Sequence, residues 1–466
     1  MKKSSLQAVL SQEMEVKTIF RQAMDYAFQY ADAAPERNVF PTTQALDNAD
    51  IFDEPLPTSR GESTEVLKLL HQYGSPATVT QIGGRYFGMV TGGVLPVTLA
   101  VKWLTDFWDQ NTPLYITSPI ASKLESVVEK WLNELLGLPK ETVAGFVSGS
   151  SLAIFCGLAA ARFRLLQNAH WDVNNKGLYG APPLRIVAGR HAHATVLKAV
   201  ALLGMGKDNI EWVECDSQGR IIPEAIPTLD ERTILLLQAG NVNSGAFDDF
   251  ANICQRARGS GAWIHVDGAF GLWAAAADKL KHLTQGMEMA DSWSVDGHKT
   301  LNTPYDNGIV LCRDAQALTA ALQASGSYII YGDQRDGMLY TPEMSRRARV
   351  FELWAALKFL GKQGTDELVY QLHERAASLA AELRANHFDV PNEVVFNQVL
   401  VRLATDEQTD RVMKEIQKSG ECWCGGATWD GKKVIRISVS SWATNEDDIS
   451  RTIKVFSTAR DANQQS

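Results

Sequence analysis

The chain has 466 residues, 45% of them hydrophobic and 21% charged, with a formal net charge of −9. That length allows a large domain with one or two smaller ones, and the composition is that of a globular protein with a sizeable core. The acidic balance argues against a nucleic-acid polyanion or an anionic membrane surface as the main partner and leaves a small molecule as the expected ligand.

The first residues, "MKKSSLQAVLSQEMEV", start basic, but Ser, Gln and Glu interrupt the apolar run before it could serve as a signal core. No later stretch reaches bilayer-spanning length without charge, so the expected location is the cytoplasm. Six cysteines are scattered along the chain (Cys156, Cys215, Cys254, Cys312, Cys422, Cys424) and are expected as thiols in a reducing compartment. Cys422-x-Cys424 has no second pair or nearby His to complete a metal site and reads as two strand-adjacent thiols.

"MEVKTIFRQAMDYAFQYADA" carries apolar residues at helical spacing, whereas "PERNVFPTTQALDNADIFDEPLPTSRGES" reads as extended chain with little core of its own. Such an arm is expected to lie on the rest of the protein or on a partner subunit. In "TSPIASKLESVVEKWLNELLGLP", Ser118 suits an N-cap, Pro119 the first helical position, and Gly137 with Pro139 a helix end. Strands and helices then alternate: "TVAGFVSG" into "SLAIFCGLAAARFRLL", "LRIVAG" into "HATVLKAVALLG", then "RTILLLQAG", "FANICQRARGSG" and "AWIHVDGAF". Apolar strands joined by helices of that length predict an α/β fold with a largely parallel sheet covered on both faces, and a ligand site along the carboxyl ends of its strands.

The helix "ARVFELWAALKFLG" is expected to end at Gly361. After it come a helix, the strand "EVVFNQVLVRL", the helix "TDRVMKEIQKSG", and a strand pair about the Asp430-Gly431 turn in "TWDGKKVIRISVS". A last helix follows "TNED", where Thr444 and Asp447 have capping-box spacing. The expected division is an N-terminal helical and extended arm over 1–110, a large domain over 111–345 and a C-terminal α+β domain over 346–466.

Four polar features fall at strand ends of the central region. "VSGSS" sets Ser150 and Ser151 at a strand-to-helix junction, where free N–H groups and the helix dipole can hold a phosphate; alone, such a turn is commonplace. "RHAHATVLKA" sets His193 at a helix start, a position often filled by a cap. "WIHVDGAFG" ends an apolar strand in Asp267, a carboxylate that needs a cationic or hydrogen-bonding partner at that depth. "WSVDGHK" ends a strand in an acid, a Gly, His298 and Lys299; a lysine in a partly dry cleft can present a neutral amine to an aldehyde. Together they supply what pyridoxal phosphate requires: an amine, a carboxylate for the ring nitrogen, an anion pocket and a ring to stack on the pyridine face.

These stretches, with "YFGMVTGG", "AGNVNSGAFD", "DSWSVDGHKTLNTPYDNG", "SRRARVFELWAALKFLG" and "VIRISVSSWATNEDDI", resemble the group II pyridoxal-phosphate-dependent amino acid decarboxylases of fold type I over about residues 80–450. The resemblance implies a large domain with a mostly parallel seven-stranded sheet, a small C-terminal domain and a homodimer. It implies that Lys299 forms the internal aldimine, Asp267 pairs with the pyridinium nitrogen and His193 stacks on the ring. The amides around Ser150 and Ser151, with His298, would hold the phosphate. Arg436 stands where the family has an Arg near the substrate, against the alternative of a strand-edge salt bridge. Relatives protonate Cα from a loop tyrosine; Tyr328, Tyr331 and Tyr340 are the candidates, and Tyr340 is favoured for its place near the loop's far end.

Three departures bear on the substrate more than on the cofactor. Ser151-Leu152-Ala153-Ile154 replaces a Thr-Glu-Ala-Asn pattern, Gly268 replaces an Ala, and Asn241-Val242 replaces two Thr residues. The implied reaction is decarboxylation of an L-amino acid to an amine and carbon dioxide through a quinonoid intermediate. Transamination, aldehyde formation and a catalytically silent scaffold are the alternatives.

Overall fold

A computed structural model describes residues 5–323 and 331–464. Four helices form the N-terminal arm: α1 (Leu6–Val16), α2 (Thr18–Ala33), α3 (Thr43–Asn48) and α4 (Ser63–Leu69), none of which contains a buried residue. Helix α3 falls inside the stretch expected to be extended, because the Thr42 hydroxyl accepts the Ala45 N–H and caps a turn there. The arm lies on its own chain. Phe20 and Phe28 of α2 meet Phe107 and Trp103 of α5 (Pro96–Trp108) at ring distances of 4.9 and 5.9 Å. The Val39 N–H donates to the Gly420 carbonyl at 2.7 Å.

Helix α6 (Pro119–Leu136) starts at Pro119 and ends on Gly137 with φ 67°, as the sequence predicts. Ser118 holds the N-cap position without capping; its hydroxyl instead donates to Gln110 Oε1 at 2.9 Å.

The central region then runs β1 (Val143–Val147), α7 (Ser150–Asn168), α8 (Val173–Lys176), β2 (Arg185–Gly189), α9 (Ala194–Leu202), β3 (Ile210–Val213), β4 (Thr233–Gln238), α10 (Phe250–Ala257), β5 (Trp263–Asp267), β6 (Ser292–Asp296), β7 (Gly308–Cys312) and α11 (Ala315–Leu322). Its seven strands form one sheet in the order β1-β7-β6-β5-β4-β2-β3, with only β7 antiparallel to its neighbours. Side chains alternate between two cores. Val187, Leu235, Ile264 and Trp293 enter the core shared with α6 and α10, while Ile186, Ile234, Leu236 and Trp263 enter the core under α7 and α9. Burial on both faces is why these strands read as continuous apolar runs. Gly157 lets α7 approach the sheet closely, since an added Cβ would lie 2.8 Å from the His265 ring.

Helix α12 (Val350–Ala385) belongs to both halves of the fold. Its first helical stretch ends at Gly361 as expected (φ 59°, ψ −164°). Val350, Leu353, Leu357 and Val369 pack in the large core, whereas Ala376, Leu379 and Leu383 pack with the small sheet. The packing therefore divides inside α12, later than residue 345. Then follow β8 (Gln398–Val401), α13 (Asp406–Ser419), β9 (Gly425–Trp429), β10 (Lys432–Ser438) and α14 (Glu446–Gln464), the strands in antiparallel order β8-β10-β9. Asp430 and Gly431 both have positive φ (49° and 72°), the geometry of a tight hairpin. The cap of α14 lies one residue later than the sequence spacing suggested. Asn445 and Asp448 exchange side-chain and backbone bonds at 3.1 Å, and Thr444 is drawn off to the Gly84 carbonyl. Cys422 and Cys424 are core thiols beneath the small sheet.

Candidate active site

Parallel strands deliver their last residues to one edge, and the chemistry collects there. Asp267 ends β5, Asp296 ends the adjacent β6, Gly149 follows β1 and His193 follows β2. Burial pushes the Asp267 carboxyl up from its ordinary range, while His193 and Lys299 pull it back. The Ala269 N–H and Ser294 hydroxyl reach its Oδ1 at 3.2 and 3.4 Å.

His193 caps α9, with Nδ1 2.7 Å from the Thr195 hydroxyl and accepting the Thr195 N–H at 3.4 Å. Burial pushes its imidazole below the usual value; Asp267 opposes this, and Lys299 and Arg436 add to it. The ring is therefore neutral at physiological pH. His193 thus lies within electrostatic reach of Asp267, Lys299 and Arg436, although four separate segments carry them.

After β6 the chain turns sharply. The Gly297 N–H donates to the Asn307 carbonyl at 2.9 Å and the Thr303 N–H to the Gly297 carbonyl at 3.1 Å. An added Cβ at Gly297 would sit 2.9 Å from Asn307 Oδ1. His298 Nδ1 accepts the Asn307 N–H at 3.0 Å, so its proton is assigned to Nε2. Burial is the main cause holding the His298 imidazole below its usual value. Lys299 Nζ is 3.0 Å from Asp296 Oδ2. Arg349 braces this turn from outside: its Nε is 3.0 Å from Asp306 Oδ1, and its carbonyl accepts the Asn307 side-chain amide at 2.8 Å.

The turn is locked by Asn302, a residue that motif reading passed over. It is fully buried, with φ 55°, a left-handed conformation that Asn tolerates better than most residues. Its Oδ1 accepts N–H groups from Gly93 (3.0 Å) and Trp442 (2.8 Å), and its Nδ2 faces the carbonyls of Lys299, Thr300 and Ser440 at 2.9 Å each. Gly92 packs so closely that an added Cβ would strike the Lys299 carbonyl. Asn302→Ala is expected to strand these buried groups and lower unfolding stability by roughly 2–4 kcal/mol, measurable by denaturant titration; a loss below about 1 kcal/mol would count against this role.

On the anion side, Ser150 and Ser151 occupy the first turn of α7, where helix N–H groups have no preceding intrahelical carbonyl. Ser150 is buried and Ser151 exposed. Gly149 touches the His298 side, since its added Cβ would lie 3.4 Å from His298 Cε1. Arg436 is on β10. Its neighbours Ile435 and Ile437 point into the core with α13 and α14, so its own side chain faces the opposite way, toward the large domain. Among the described residues it makes no ion pair, and it is partly buried.

Of the loop tyrosines, Tyr328 lies outside the described residues. Tyr340 packs against the core under α7 and α9. Arg335 sits 4.1 Å over its ring and is itself held by Glu125 (3.1 Å) and Glu129 (2.7 Å). The Tyr340 carbonyl abuts Gly145 in the middle of β1. Tyr331 is partly exposed beside the loop.

The departures have local causes. A Cβ at Gly268 would come within 2.7 Å of Leu272 Cβ. Asn241 accepts the Asn243 N–H at 2.9 Å and reaches the His191 carbonyl at 3.4 Å, tying the loop after β4 to the loop after β2.

An amine, a deep carboxylate, a neutral imidazole and unpaired helix-start N–H groups on the carboxyl edge of this sheet define a fold type I pyridoxal-phosphate enzyme, and the residues present fit that group. The chain belongs to the pyridoxal-dependent decarboxylase family, whose conserved domain matches residues 79–404. It is 28% identical over 346 residues to the acidic amino acid decarboxylase GADL1 of Mus musculus, a match covering 70% of this chain and 60% of that protein's length. It is 25% identical over 474 residues to the aromatic-L-amino-acid decarboxylase of Bacillus atrophaeus, covering 96% of both. Its fold is similar to the crystal structure of Oryza sativa TDC with PLP and tryptamine, at a TM-score of 0.87 and 20% identity, covering 99% of each chain.

Proposed function

We propose that this protein decarboxylates an L-amino acid to the corresponding amine and carbon dioxide. The observation that carries this reading is the convergence of Asp267, His193 and Lys299 at the carboxyl edge of the large sheet, with Arg436 of β10 in the small sheet within electrostatic reach of His193. When bound, pyridoxal phosphate supplies an aldehyde for the substrate amine and a ring able to accept the electron pair left by departing carbon dioxide. Lys299 offers the amine that holds and releases the cofactor. Asp267, ending β5 beneath the site, keeps a proton on the ring nitrogen. The N–H groups at Ser150 and Ser151, with His298 Nε2–H, hold the phosphate. His193 covers the ring face as a neutral imidazole, and the unpaired Arg436 guanidinium receives a substrate carboxylate.

The Cα proton donor is assigned to a tyrosine of the stretch 328–345, with Tyr340 the favoured candidate beside Tyr328 and Tyr331. The working form is a cytoplasmic homodimer: Leu99, Leu104 and Phe107 of α5, and Ile116 and Ile120, are exposed apolar side chains that a partner subunit would cover. No helix among the described residues is long and apolar enough to cross a membrane.

Arg436 also favours a second reading, transamination, since a free guanidinium can clamp an α-carboxylate. Purified protein loaded with pyridoxal phosphate and offered a panel of acidic and aromatic L-amino acids separates the two. Amine with equimolar carbon dioxide supports decarboxylation, keto acid with the pyridoxamine form supports transamination, and aldehyde with ammonia supports the oxidative outcome. Cofactor bound with no turnover on any member would leave a silent scaffold.

A further inference from the structure

Asp296 places a carboxylate in the corner where an anion is expected. It is 1% exposed, and its Oδ2 lies 3.0 Å from Lys299 Nζ and 3.6 Å from His298 Nε2. Its Oδ1 is buried without a hydrogen-bond partner and points toward the start of α7, within 3.7 Å of where a Cβ at Gly149 would stand. The other charged or titratable groups around it are Asp267 on β5 and Tyr305 in the following loop, and its charge disfavours the ionised form of each. The first turn of α7 contributes N–H groups and the hydroxyl of Ser150, but no charged side chain.

We propose that Asp296 is an affinity determinant that works against the phosphate group, so that this protein holds its cofactor more loosely than its anion pocket alone would allow. The carboxylate competes with the phosphate for Lys299 and His298, the two positive or proton-bearing groups within its reach. It also sets a buried negative charge beside a dianion in a setting where screening is weak. The inference rests on the phosphate being held at Gly149–Ser151.

Inorganic phosphate tests the charge effect without covalent chemistry. Full-length protein freed of cofactor is titrated calorimetrically with inorganic phosphate, and separately with pyridoxal 5′-phosphate by absorbance. The unaltered protein, Asp296→Asn, Lys299→Ala and the double variant are compared, with Asp296→Ser as the alternative neutral side chain if Asp296→Asn does not fold. Removing the carboxylate is expected to tighten inorganic phosphate binding by about tenfold or more, Lys299→Ala to weaken it by a similar factor, and the double variant to recover most of that loss. Equal or weaker phosphate binding in both neutral variants would overturn the proposal and make Asp296 a bystander or a phosphate ligand. Phosphate that fails to compete with pyridoxal 5′-phosphate in every variant would overturn the placement at Gly149–Ser151, and this inference with it.

Discussion

Lys299→Ala is expected to abolish carbon dioxide release, with turnover falling roughly 10⁴–10⁶-fold, as for other enzymes that lose the group making covalent contact. That substitution alone is ambiguous. Asp296 is 1% exposed and 3.0 Å from the lysine amine, so removing the cation leaves a buried carboxylate without its partner. Breaking a buried pair from one side costs about 3–5 kcal/mol, enough to blur a catalytic loss into a folding loss. The Lys299→Ala/Asp296→Asn double variant removes both charges and is expected to regain most of the stability in denaturant titration while remaining inactive. Covalent retention of cofactor after borohydride reduction should occur in the unaltered protein and in neither variant. Activity returning along with stability would show that the lysine serves only as a counter-ion.

The sequence carried the strand-end chemistry because each piece is local. An apolar run ending in an acid, or a strand followed by Gly, His and Lys, is fixed by a handful of consecutive residues, and the parallel sheet aligns their ends whatever the loops do. Asp267, His193 and Lys299 were legible for that reason. Asn302 was not, since its role depends on five partners in three segments: Gly93, the Lys299–Thr300 turn, and Ser440 with Trp442. The contacts of Tyr340 were not legible for a similar reason. Its ring lies beneath Arg335, which Glu125 and Glu129, some two hundred residues earlier in the chain, hold in turn. The cap at Asn445 shows the same effect on a smaller scale, because Thr444 was claimed by Gly84 from the N-terminal half.

Asp267→Asn should lower turnover by at least about a hundredfold while leaving the cofactor covalently attached, since an amide cannot hold the ring nitrogen protonated. Folding of the cofactor-free protein should move the other way. Burial is the first cause of the raised Asp267 carboxyl, and the opposing pull of His193 and Lys299 does not cancel it. A carboxyl raised in the folded state binds more protons there than in the unfolded chain, so its contribution to stability falls as pH rises above the ordinary carboxylate range. At neutral pH the desolvated Asp267 carboxyl therefore costs stability, and the neutral amide relieves that cost. Thermal unfolding of cofactor-free protein should give a higher Tm for Asp267→Asn than for the unaltered chain at pH 7, the gap narrowing as pH falls toward 4. A variant that is both inactive and less stable at pH 7 would mean that the carboxylate is held by its neighbours as a structural group. One that is active would mean that the ring nitrogen needs no carboxylate. The predicted opposition of function and stability follows from placing a charge at the dry end of β5, where only the bound cofactor can neutralise it fully.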